Sequence, residues 1–143
     1  MGMSLHRLLY LSTGRADLAY PDLRDIMAKS EVNNARDGIT GILCFGNNRF
    51  VQALEGDRKQ ISETYARILN DPRHTDPELV EFGPIDCRAF TKWSMRLIQW
   101  DINEPATIRE IRMKYCSGAL FDPSTMNAKQ CLSLLMDMHA LQG

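Results

Sequence analysis

Two short stretches constrain this chain more than any others. Leu8-Leu9-Tyr10-Leu11 and Phe50-Val51-Gln52-Ala53-Leu54 are apolar at both alternating sets of positions. A strand with one wet face alternates apolar with polar residues. These two do not, so their sheet needs a cover on each face. The chain has 143 residues to build those layers, the length of one domain.

The rest of the chain supplies the layers. Residues 5–11 read as a strand closed by Ser12-Thr13-Gly14. Pro21 opens an amphipathic helix of about three turns, with Leu23, Ile26, Met27 and Ser30 on one side. The run Asn33-Asn34-Ala35-Arg36-Asp37-Gly38 reads as punctuation that ends it. Residues 39–45 and 49–55 form a hairpin about Gly46-Asn47-Asn48. Asp57 is placed to cap a second helix, with Gln60 completing a capping box. Its apolar stripe is Ile61, Tyr65, Ile68 and Leu69, and Asn70-Asp71-Pro72 stops it. Residues 79–87 and 95–100 read as two more strands, with 86–94 as the loop between them.

The order β-α-β-β-α-β-β is the ferredoxin-like α+β pattern with one added strand. It predicts a five-stranded mixed sheet with both helices on one face. The first strand and the hairpin's second strand are expected as parallel central neighbours. Residues 103–105 start a helix carrying Ile108, Ile111 and Tyr115, and 123–127 start another carrying Cys131, Leu134, Leu135, Met138 and Leu141. This pair is expected on the bare face, dividing the chain into 1–102 and a C-terminal two-helix extension, 103–143. There are no repeats and no low-complexity tracts.

Composition narrows the function by exclusion. A net charge of −1 is no electrostatic footprint for nucleic acid or for an anionic membrane. No stretch approaches the roughly 18 apolar residues of a spanning helix. The N-terminus lacks the charged-then-apolar order of a secretory signal. Cys44, Cys87, Cys116 and Cys131 have no metal-knuckle or redox spacing and read as buried thiols of a cytoplasmic protein. His6, His74 and His139 have no ligand spacing and read as solvated, so no metal is expected. There is no phosphate loop, no HExxH and no GxSxG. Asp25, Glu55, Asp57 and Glu63 fall where solvent faces, caps and helix starts want charge. Nothing here makes an acid–base pair, and the chain does not read as an enzyme.

Two polar residues interrupt the apolar strands. Tyr10 and Gln52 fall on the same side by the period of two, facing the first two helices. A buried phenol and a buried carboxamide both need partners. Asn33 and Asn34 stand at the mouth of the same face, and Trp93 and Met95 flank the entry to the last strand.

These segments resemble the BLUF domains, a family of blue-light sensors using FAD. The match lies in Leu8-Leu9-Tyr10-Leu11-Ser12, in Asn33-Asn34-Ala35-Arg36-Asp37-Gly38-Ile39-Thr40-Gly41-Ile42-Leu43, in Phe50-Val51-Gln52-Ala53-Leu54-Glu55-Gly56 and in Trp93-Ser94-Met95. It runs in order over residues 5–100, and implies a short member without an effector domain. The resemblance implies FAD as a noncovalent cofactor, with Tyr10 as electron and proton donor. Gln52 bridges that tyrosine to the flavin, and Asn34 and Asn33 hold the pyrimidine edge. Ile26 and Ile68 sandwich the ring, with Phe50 and Leu54 completing the slot, and Arg67 stands near the ribityl-phosphate chain. Trp93, Ser94 and Met95 form the segment that relays the signal to the C-terminal helices, and from there to a partner protein. A homo-oligomer is expected from the apolar C-terminal helices. On the residues alone two other readings stay open. One is an acylphosphatase-like hydrolase, using Ser12-Thr13-Gly14-Arg15 as a weak phosphate loop. The other is a cofactor-free regulatory module in which Tyr10 and Gln52 are ordinary core polar groups.

Overall fold

A computed structural model describes residues 3–97, 105–116 and 120–141. Its elements are β1 (Leu5–Gly14), α1 (Tyr20–Asp37), β2 (Thr40–Gly46), β3 (Arg49–Asp57), α2 (Arg58–Leu69), β4 (His74–Pro84), β5 (Trp93–Leu97), α3 (Ala106–Tyr115) and α4 (Ala128–Ala140), with a 3-10 turn at Pro123–Thr125. The side chains of residues 94–97 and the predicted strand's last residues, 98–100, lie outside the described set. So do residues 103 and 104, at the expected start of α3, and the boundary between 102 and 103.

The sheet order is β4-β1-β3-β2-β5. The first four strands are antiparallel, and β5 joins the β2 edge in parallel. The expected parallel pairing of the first strand with the hairpin's second strand does not occur. Tyr10 instead stands opposite Gln52 in an antiparallel ladder. The tight hairpin reverses the chain between β2 and β3. The crossover through α1 sets β2 parallel to β1 but one place further out, so β3 fills the gap running against both. The hairpin turns on Asn47 and Asn48, with φ of 49° and 58°. Two successive left-handed residues give the turn whose twist matches the strands.

Helix α1 runs 18 residues, well past the three turns expected. Asn33, Asn34, Ala35, Arg36 and Asp37 are helical, and only Gly38 ends the helix. Gly38 adopts φ 69° as the left-handed cap, its N–H returning to the Asn34 carbonyl. The asparagines lower helix propensity by a few tenths of a kcal/mol; the glycine cap and the docking of Asn34 outweigh that. In α2 the Asp57 carboxylate accepts from the Lys59 N–H, without the reciprocal contact from Gln60 that a capping box needs. Leu69 is exposed, not part of the buried stripe. Strand β4 begins at His74 rather than at 79, with register shifts against β1. Cys87 is exposed beyond its end.

The two faces carry separate cores. Leu8, Tyr10, Ile39 and Leu54 pack with Ile61 of α2, and Leu23, Leu43 and Phe50 pack beside Ile26 of α1. On the other face Leu9, Leu11, Ile42, Cys44, Val51 and Ala53 meet Cys131, Leu134, Leu135 and Met138 of α4, with Ile111 of α3 joining the cluster. Leu141 lies outside that core and is exposed. A capping box between Asn127 and Gln130 starts α4. The expectation for Glu55 fails: it is fully buried. Its carboxylate pairs with Arg7 at 2.8 Å and accepts the Ala89 and Phe90 N–H groups at 3.1 and 2.7 Å. Those donors replace the water that a surface carboxylate would keep.

Candidate functional site

The face under α1 and α2 holds a cleft of about 810 Å³, its open mouth included. The floor is sheet. Tyr10 of β1 and Gln52 of β3 occupy paired positions on adjacent strands, which sets their Cβ atoms about 5 Å apart. Leu43 of β2 lies across from Gln52 on the other side, and the backbone of Met95 continues the same row onto β5. Phe50 and Leu54 flank Gln52 at the two-residue spacing of one sheet face, and both line the cleft. The walls are helical: Ile26, Asn33 and Asn34 come from α1, and Arg67 and Ile68 from α2. The structure thus gathers Tyr10, Ile26, Asn33, Asn34, Phe50, Gln52, Leu54, Arg67 and Ile68 around one space.

Tyr10 is 4% exposed, and burial pushes its phenol far above the ordinary 10.0, with Tyr65 and the Asp71 carboxylate adding to the rise. A neutral phenol is the only form it takes in water at ordinary pH. Its ring lies 5.4 Å from that of Tyr65 and 6.4 Å from that of His74. Among the described residues, no hydrogen bond links the Tyr10 hydroxyl to the Gln52 carboxamide. Asn34 is 2% exposed, and its Nδ2 is buried with no hydrogen-bond partner among the described residues. A buried donor left unsatisfied costs roughly 1–3 kcal/mol, so an acceptor belongs there. An apolar slot with amides at one edge fits a planar heterocycle whose rim carries carbonyl and ring nitrogen acceptors. The isoalloxazine of FAD is such a group.

Several lining residues were not read as part of a site in the sequence. Asp71, Arg73 and His74 line the cleft where α2 gives way to β4. Arg73 is held by Asp71 at 2.6 Å and by Asp25 of α1 at 2.7 Å. These carboxylates raise its pKa further above the ordinary 12.5. His74 is half-buried, with its Nε2 2.5 Å from the Ile68 carbonyl. The expectation of solvated histidines fails outright for His6, which is buried, while His139 is half-buried with its Nδ1 shielded from water. The run Asp71-Pro72-Arg73-His74, a cation and an imidazole straight after a helix stop, was the available signal. Lys29, Ser30 and Thr64 also line the cleft, from the polar sides of α1 and α2.

Trp93 lies between the two clusters of this face, paired to Gly41, with its Nε1 buried and unpartnered among the described residues. It is not among the lining residues. The Ser94 and Met95 side chains lie outside the described residues. Ser12 and Thr13 are not a phosphate loop. They sit within β1, paired to Phe50 and Arg49, and the Arg15 guanidinium is turned to Asp17. Among the described residues no three potential ligands group around a metal site, and no helix is long and apolar enough to cross a membrane.

Known proteins resemble both the sequence and the architecture. A family model described as "BLUF: Sensors of blue-light using FAD" matches residues 5–96. Photoactivated adenylate cyclase subunit beta of Euglena gracilis is 37% identical over 93 residues, which are 64% of this chain and 11% of that protein. The chain thus spans about a tenth of the length of such curated relatives. The dark-state structure of BlrB, a BLUF protein, is 31% identical and covers 100% of both chains with a TM-score of 0.76. The ground state of BlsA is 27% identical with a TM-score of 0.79, covering 92% of this chain and 87% of that one. The hydrolase reading finds no support in these comparisons.

Proposed function

This chain belongs to the BLUF family, the sensors of blue light using FAD, and on that premise we propose that it is a photosensor whose switch is the Tyr10–Gln52 pair. The cleft would hold FAD noncovalently. Ile26 and Ile68 from the two helices, with Phe50 and Leu54, would form the apolar slot. The orphaned Asn34 amide donor, with Asn33 beside it, would serve the ring edge, and Arg67 would serve the phosphate-bearing chain.

When bound, FAD supplies light absorption and a one-electron oxidant. The residues do the rest. Tyr10 is a neutral phenol, so losing an electron makes its hydroxyl strongly acidic. With the cofactor seated and the two side chains drawn into hydrogen-bond contact, the proton would leave Oη through the Gln52 carboxamide. Return of the electron and proton restores Tyr10 and leaves the Gln52 amide with its donor and acceptor ends exchanged. A carboxamide suits this because its two ends have the same shape and opposite hydrogen-bonding sense. Each exchanged hydrogen bond is worth about 1 kcal/mol net, enough to bias a two-state element. No bond to the protein forms and no cysteine takes part.

The output runs through the sheet. Gln52 faces the cleft, while its neighbours Val51 and Ala53 face α4. A shift of β3 is therefore felt on the opposite face at once. The row from Gln52 through Leu43 to Met95 carries the same shift to β5, where Trp93, Ser94 and Met95 pass it on. The receiver is a partner protein or a second copy docked on the C-terminal helices.

The observation that carries this reading is the paired placement of Tyr10 and Gln52 in the floor of a cleft edged by the orphaned Asn34 amide. Light-minus-dark absorption spectroscopy tests it. The purified protein should be yellow, and blue light should give a reversible red shift. Gln52→Leu should keep FAD and lose the shift, and Tyr10→Phe should lose the photocycle. A preparation that stays colourless in excess FAD, or a Gln52→Leu protein that cycles normally, defeats the reading.

A further inference from the structure

Helix α1 is tied across the cleft by ion pairs at two points, one to the connection between α2 and β4 and one to α2 itself. Towards the start of α1, Arg73 reaches across the mouth. Its Nη1 donates to Asp25 Oδ2 at 2.7 Å and lies 3.4 Å from the Asp22 carbonyl, while its Nε and Nη2 hold Asp71. At the far end of α1, Arg67 of α2 sets its Nη2 3.3 Å from Asp37 Oδ2 and 3.1 Å from Thr64 Oγ1. Arg67 and Arg73 line the cleft, but Asp25 and Asp37 do not. The carboxylates stand on α1 outside the lining and reach it through cations that do line it, Arg73 and Lys29 for Asp25 and Arg67 for Asp37.

The surroundings show why the arrangement holds. Arg73 is 17% exposed and carries two carboxylates at once. A guanidinium can do this because its five N–H donors spread over a planar fork. Each carboxylate also has a second cation. Lys29 stands 3.1 Å from Asp25, one turn along α1, and Arg36 stands 2.9 Å from Asp37. Breaking a clasp thus leaves no carboxylate without a counter-charge, so opening is cheap. Exposed pairs of this kind are worth little singly and are screened by salt.

We propose that Asp25 and Asp37 are positioning residues that clasp α1 over the cleft through Arg73 and Arg67, and so set how long a bound cofactor stays. The cofactor half of this inference rests on the function proposed above; the clasp itself does not. It closes the mouth from both ends while leaving the slot floor, Tyr10 and Gln52 untouched. Residence time then becomes a function of ionic strength.

Two measurements test it. FAD-loaded protein is diluted and the rise of free-flavin fluorescence gives the release rate. Release from the unaltered protein should quicken with added salt. Asp25→Asn/Asp37→Asn should release FAD about tenfold faster at low salt and lose most of the salt response, and Asp25→Glu/Asp37→Glu should restore part of both. The second measurement is amide hydrogen exchange in flavin-free protein, where the Asn pair should raise exchange along Tyr20–Asp37 and leave β3 unchanged. Release by the Asn pair at the unaltered rate and salt response overturns the inference, whatever the exchange shows. If the unaltered protein binds no FAD, the photosensor reading fails and exchange alone decides the clasp: faster exchange in α1 upholds it, unchanged exchange overturns it.

Discussion

Glu55 shows how far one residue's role can depart from its type. It lies one position past the apolar stretch of β3, where a carboxylate is ordinarily solvated. Here it is fully buried, paired to Arg7 and capped by the Ala89 and Phe90 N–H groups. It therefore ties the segment after β4 to the middle of the sheet. Removing one partner of a buried pair costs more than the pair contributes, because the other charge is left stranded. Glu55→Ala should lower unfolding stability by about 3 kcal/mol, measured by urea denaturation. A loss below about 1 kcal/mol would mean that water replaces the carboxylate. Tyr10 and Gln52 are the opposite case, since they stand where the alternation put them and their side chains face the side expected.

Among the elements, α1 departs furthest from its local sequence. Two asparagines in its last turns argue for an end that does not come until Gly38. That glycine sits at φ 69° with open space where a Cβ would project. Gly38→Ala should therefore cost only the left-handed strain, about 1 kcal/mol, seen as a lower urea midpoint with an unchanged slope. The extension matters because it places Asn34 in the wall. The helix is also sensitive to acid. Hydrogen bonds from Lys29 and Arg73 hold the Asp25 carboxyl below the ordinary 3.8, and Arg36 followed by Arg67 does the same for Asp37. A depressed carboxyl gives stability above its unfolded value and loses it as pH falls through the folded one. Amide protection in α1 should hold at neutral pH and fall below about pH 3.8, ahead of β1 and β3. Simultaneous loss in all three would show that acid unfolds the molecule as a whole.

For the whole molecule, the two faces of the sheet divide the labour. One face holds the cleft between α1 and α2, and the other is sealed by α4 with Ile111 of α3. Because β3 contributes to both, the seal and the cleft floor share one strand. Leu134 is fully buried in it. Leu134→Ala should cost about 3 kcal/mol from lost burial and the cavity left behind, measured by thermal or urea unfolding. If the C-terminal helices were a separate appendage, the sheet's own transition would not move.

The chain's own pattern was enough to determine a sheet covered on both faces, the order of its first seven elements and the side on which Tyr10 and Gln52 face. The reason is local: period-two alternation assigns a face, and Gly38, the Asn47-Asn48 pair and Pro72 mark breaks between elements. Only the folded arrangement decided the direction of β3 against β1, because the crossover that inserts it is a long-range choice with no local signature. The same holds for Asn34, made helical by a cap and by docking against its own propensity. It holds again for the Glu55 carboxylate, whose partners lie 34 to 48 residues away, and for Arg73, which besides its neighbour Asp71 reaches groups 48 and 51 residues away. A charge's burial depends on donors brought up by other segments, and no spacing along the chain records which segments those are.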